Sequence, residues 1–172
     1  MRLYRGKVPL IAEELTRELV SSGDIEVETD RVGEVQLDIE AVLNEYRRVD
    51  REILEEAKDL VAHRSLEYSA THKIRQRLAE KRGFGLNDKA YAYITHQLLE
   101  MLLHTRNIEE VFADDNDMRK KMVTVIKRHA EIDDELQRQV KARIKNLQEG
   151  TGAYELEYEK VMGNLRARKG LD

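Results

Sequence analysis

The stretch VQLDIEAVLNEYRRVDREILEEAKDLVAHR, residues Val35 to Arg64, decides the fold. It contains no proline, and Val35, Ile39, Val42, Tyr46, Val49 and Ile53 follow one another at alternating steps of four and three. That spacing draws an apolar seam along one face of a single long helix. At ~1.5 Å of rise per residue the helix reaches ~45 Å. A seam of that length needs another helix to cover it.

Working outward, Val8 and Pro9 predict the start of a short helix, because proline fits a first turn whose N–H groups have no partner. Ile11, Ala12, Leu15, Leu19 and Val20 form its buried stripe, and Gly23 ends it. Asp24 to Asp30 alternates apolar and acidic residues, an extended link too short and too acidic to carry a sheet. Beyond the long helix, Ser65 to Ser69 weakens the pattern and predicts a bend. Thr71 to Arg82 resumes helical spacing through Ile74 and Leu78, and Gly83 and Gly85 stop it.

From Asp88 the same order begins again. Tyr91, Ile94, Leu98 and Leu102 restate the stripe of Val8, Ile11, Leu15 and Leu19 at a constant offset of 83, as from Ile25 to Ile108. The offset carries through the long helix, pairing Ile39 with Met122, Val42 with Val125, Tyr46 with His129, Ile53 with Leu136 and Ala57 with Val140. Both seams depart from alternation at one equivalent place, Ile53 to Ala57 to Val61 and Leu136 to Val140 to Ile144, a step that locally unwinds a coiled coil. After Leu147 extra residues around Glu149 to Gly152 move the offset to 87, matching Ile74 with Val161 and Gly83 with Gly170.

The expected fold is therefore all-α: a tandem repeat of a three-helix unit with short, long and medium helices. Residues 1–86 form the first repeat and 87–172 the second, packed together as one domain. The simplest arrangement pairs the two long helices, Val35 to Arg64 and Met118 to Leu147, antiparallel or about a pseudo-two-fold in an elongated bundle. A chain that covers its own seam in this way is expected to be a monomer with internal pseudo-symmetry.

Composition agrees with helices. Among 172 residues, 41 % are hydrophobic and 37 % charged, with one proline, two phenylalanines and no tryptophan, so aliphatic side chains must fill the core. The absence of cysteine excludes disulfides, thiolate nucleophiles and sulfur-ligated metals. A net charge of -4 names no partner by itself. Glu13, Glu14 and Arg17 interrupt the apolar run near the N-terminus, so no signal peptide is read there. Without an apolar run of ~18 residues no membrane span is expected. The expected compartment is the cytoplasm.

Met1 to Glu14 (MRLYRGKVPLIAEE), Gly23 to Glu26 (GDIE) and Lys73 to Leu86 (KIRQRLAEKRGFGL) resemble the bacterial family called domain of unknown function 507. Both halves carry the resemblance, the second less fully, since Arg106 and Asn107 replace the Gly-Asp pair. It implies a helical bacterial protein and brings no activity or catalytic residue with it.

Candidate chemistry is sparse. His63 with Glu67, His96 with Glu100 and His129 with Asp133 share the four-residue spacing that places two groups on one helical face. A metal needs a third and usually a fourth ligand, which the sequence does not supply, so surface ion pairs are the preferred reading. His129 sits in the seam and must find a hydrogen-bond partner there. Carboxylates crowd the first long helix but alternate with Arg47, Arg48, Arg51 and Lys58, the pattern of a solvated face. Gly83-Phe84-Gly85 and Gly150-Thr151-Gly152 lack the lysine and strand context of a phosphate loop.

Charge placement holds more promise. Lys73, Arg75, Arg77, Lys81 and Arg82 cluster on the first medium helix, and Lys160, Arg166, Arg168 and Lys169 recur on the second. Two such patches are candidates for gripping a polyanion. The expectation is a non-enzymatic scaffold or adaptor that binds a protein partner and uses no cofactor. The alternative is a nucleic-acid or ribosome-associated protein working through the two basic helices.

Overall fold

The structure, a computed structural model, describes residues 3–148 and 151–169. Its architecture is all-α. Helix α1 (Val8–Ser21) carries Pro9 in its first turn and passes into Gly23 at φ +71°, a left-handed conformation that glycine adopts without strain. Strand β1 (Ile25–Glu26) leads to the long helix α2 (Val32–His63), followed by α3 (Ala70–Lys81). The second half runs through α4 (Ala90–His104), β2 (Glu110–Val111), α5 (Asp115–Arg143) and α6 (Gly152–Lys169). Asp114 caps α5, its carboxylate accepting a 2.8 Å hydrogen bond from the Asn116 backbone N–H.

The expected pairing of the two long helices needs correction. Among the described residues α2 and α5 do not pack along each other; α1 packs against both, and so does α4. The reason lies in the short helices. α4 buries Ile94, Leu98 and Leu102 on one flank and Thr95 and Leu99 on the next, so it has two faces to cover and lies between two helices. α3 folds back on α2 and α6 on α5. One core cluster draws on α1, α2, α3, α4 and α5, while a smaller one gathers Leu136, Val140, Ile144, Met162 and Leu165 between α5 and α6, joined by Tyr4. Each fully buried aliphatic side chain contributes ~1.5–3 kcal/mol relative to an exposed one.

The link between α1 and α2 does form a sheet, against expectation. β1 pairs antiparallel with β2, placing Ile25 opposite Val111 and Glu26 opposite Glu110. Neither two-residue strand could stand alone, but the links of the two halves meet and satisfy each other. The backbone N–H groups of Phe112 and Ala113 extend the junction, donating to the Asp24 carbonyl at 2.8 and 3.3 Å.

The seam itself is shifted. Leu43, off the expected seam, is fully buried, whereas Val42 and Val49 are only half-buried. Because α2 packs against α1, α3 and α4 together, its buried stripe is broader than a two-helix seam, and Leu43 falls inside it. Val42 and Val49 fall at its edge, on the wall of a groove.

Candidate functional site

That groove lies between α2 and α4. Val42, Tyr46 and Val49 form one wall and Tyr93, Ile94 and Gln97 the other, around a cavity of about 320 Å³ that also touches Ala41, Glu45 and Phe84. Aromatic rings make its floor. Tyr46 and Phe84 stack with centroids 4.8 Å apart, and Phe84 meets Tyr93 at 4.9 Å and 58°.

The Gly83-Phe84-Gly85 motif builds this floor. Gly83 takes φ +64° just past α3, turning Phe84 inward. At Gly85 a Cβ would stand 2.5 Å from the Lys89 carbonyl oxygen and from Tyr93 Cβ, so only glycine lets the chain pass beneath the start of α4. The Tyr46 hydroxyl donates to the Gly85 carbonyl at 3.0 Å. Burial raises the pKa of this phenol, and the nearby Asp50 charge adds to the rise, so it stays a neutral donor. On the rim Glu45 accepts hydrogen bonds from Arg48, which hold its carboxyl below the ordinary value, and Arg48 also reaches Glu52.

The joint between α1 and α5, whose residues stand 83 positions from those of this groove in the sequence, is closed. His129 Nε2 lies 2.7 Å from Glu14 Oε2, Arg128 pairs with the same carboxylate, and Val125 is buried. Thus the seam histidine has its hydrogen-bond partner, supplied by α1. Nearby, Lys121 donates to Asp24 at 2.6 Å. Burial opposes the Asp24 charge, but the hydrogen bonds from Lys121 and Ser22, with the Lys121 charge, outweigh it and lower the pKa.

The basic residues on α3 divide into two sets. Arg75 and Arg82 turn toward α2 and pair with Asp50 and Glu56. Lys73, Arg77 and Lys81 remain exposed at successive steps of four, and none has an ion-pair partner among the described residues. On α6, Lys160 pairs with Glu157 at 3.6 Å and Arg168 is exposed, while the side chains of Arg166 and Lys169 lie outside the described residues. Sequence reasoning named these cations without separating those that staple α3 to α2 from those that face solvent.

The histidine pairs fare differently. α2 ends at His63, so Glu67 is not on its helix, and His63 Nδ1 lies 2.9 Å from the Asp59 carbonyl instead. His96 and Glu100 are both exposed, and the Asp133 side chain lies outside the described residues. No group of three or more His, Asp or Glu among the described residues is arranged to hold a metal ion, and no described helix is long and apolar enough to cross a membrane.

Comparison with curated proteins finds no match. A family model described as protein of unknown function (DUF507) matches residues 1–171, and the chain belongs to that family.

Proposed function

We propose that the protein is a non-enzymatic helical scaffold or adaptor that binds a protein partner through the groove between α2 and α4. The observation that carries this reading is an apolar cavity left open between two rigid helices over an aromatic floor. Two of its polar groups are already engaged, the Tyr46 hydroxyl on Gly85 and the Glu45 carboxylate on Arg48. Anchoring surface is on offer there, and a convergent acid–base or nucleophilic pair is not what lines it. In this reading the chain works as a cytoplasmic monomer, and its melting temperature is independent of protein concentration.

Capture from bacterial extract by the immobilised protein, with and without nuclease, tests the reading. The expected result is a bound protein that survives nuclease and is lost with Ala41→Arg, which places a long charged side chain at the groove mouth. Loss of every bound protein after nuclease would instead favour a second reading, polyanion binding through α3. The exposed row Lys73, Arg77 and Lys81 supports that alternative. It predicts nucleic-acid association that fades as salt rises and disappears when the three residues become glutamate.

A further inference from the structure

The two halves of the chain differ at the edge of this groove. Along the outer shoulder of α2 run Leu37, Ala41 and Glu45; the residues 83 positions later on α5 are Lys120, Thr124 and Arg128. Leu37 is 56 % exposed. The solvated version of the shoulder shows that the three-helix unit does not require apolar residues there. Where Glu14, Arg128 and His129 seal the joint between α1 and α5, the joint between α4 and α2 has Gln97, Glu45 and Tyr46, and the cavity stays open.

The rim also carries more acid than base. Glu45 lines the groove, Glu34 and Glu52 lie at helical spacing along the same side of α2, and Glu100 stands one turn beyond Gln97 on α4. The cation among them, Arg48, is held between Glu45 and Glu52. An apolar slot whose rim holds more carboxylates than its one arginine neutralises complements an amphipathic helix with an apolar anchor face and lysine or arginine beside it. From Ala41 to Val49 the slot spans ~12 Å, about two helical turns and so two anchor side chains.

Resting on the adaptor reading, the geometry points to a specific occupant: a cationic amphipathic helix of a partner protein, its apolar side chains seated between Val42, Tyr46, Phe84 and Tyr93. The basic flanks meet Glu45, Glu52 and Glu100. The apolar anchors supply the affinity, and the charges select the partner and speed its approach.

Because the chain has no tryptophan, a peptide carrying one reports its own binding by fluorescence. The probe is a synthetic amphipathic helix of about fourteen residues with tryptophan and leucine anchors, made once with lysine flanks and once with glutamate flanks. The lysine peptide binds about tenfold or more tighter than the glutamate peptide, and raising salt narrows the gap. Ala41→Arg abolishes binding without altering the melting temperature. Gln97→Arg on the opposite wall does the same, and Thr124→Arg, at the matching place in the other half, leaves binding intact.

Equal binding of the two peptides, or of neither, overturns the inference. So does concentration-dependent self-association abolished by Ala41→Arg, which would make a second copy the occupant. The adaptor reading fails separately, through loss of the nuclease-resistant captured protein.

Discussion

The joint between α1 and α5 and the joint between α4 and α2 use matching residues to opposite ends. In the first, a carboxylate from the short helix crosses to a histidine and an arginine of the long helix and shuts the interface. In the second, the short helix offers Gln97, and the long helix offers a tyrosine whose hydroxyl is spent on Gly85. Cohesion there comes from packed rings, one pair stacked and one tilted. A polar bridge spans a joint and seals it, whereas aromatic packing holds the base of a joint and can leave its mouth open.

The largest effects should come from the aromatic floor, which has no counterpart of equal weight among the described residues. Phe84→Ala removes a buried ring that stacks on Tyr46 and meets Tyr93, and costs about 3–5 kcal/mol by chemical denaturation. In the other joint, Leu10 matches Tyr93 in sequence but is 47 % exposed, so Leu10→Ala stays within about 0.5 kcal/mol. Similar losses for the two substitutions would remove the asymmetry. Next comes Gly85→Ala, whose added methyl collides with the Lys89 carbonyl and Tyr93 Cβ. It costs about 1–3 kcal/mol as overpacking and changes the near-ultraviolet circular dichroism of the tyrosines.

How much of this could be read from the sequence follows from what periodicity measures. Apolar spacing reports which face of a helix is buried, so α1 through α6 appear near their expected places. It does not report how many neighbours cover that face. Val42 and Val49 satisfied the seam and lie at a groove edge; Leu43 broke it and is buried. Pairing across the halves was equally hidden, because Glu14 reaching His129 is a fact about α1 crossing α5 and has no local signature. Gln97 standing where the first half has Glu14 was visible in the offset. Its meaning required knowing that this position faces a joint.

Glu14→Gln makes the closed joint resemble the open one and costs about 1–2 kcal/mol, below the full value of a charged hydrogen bond because Arg128 is 61 % exposed. A double-mutant cycle sharpens this. Glu14→Gln with His129→Tyr shows coupling of about 0.5–1.5 kcal/mol, while Gln97→Ala with Tyr46→Phe shows close to none. Equal coupling in the two cycles would mean that Gln97 and Tyr46 also bridge their joint.

The smallest expected difference lies where the links meet the long helices. Asp24 accepts from Lys121 at 2.6 Å; at the matching places Asn107 donates to Asp38 at 2.8 Å, so the acid has changed sides. Asp24 has its carboxyl pKa lowered below 3.8, so its charge stabilises the fold above that value, and the contribution disappears as pH falls through the lowered one. Asp24→Asn should therefore cost about 1 kcal/mol at neutral pH, since it leaves half-buried Lys121 without its anion. On the acid side the variant and the parent converge, because protonation has already removed in the parent what the substitution removes in the variant. Unfolding measured at a series of pH values would show a gap that is widest at neutrality and closes at the acid end. A gap constant with pH would mean that Asp24 holds the link through shape alone, and that the two links differ in composition but not in physics.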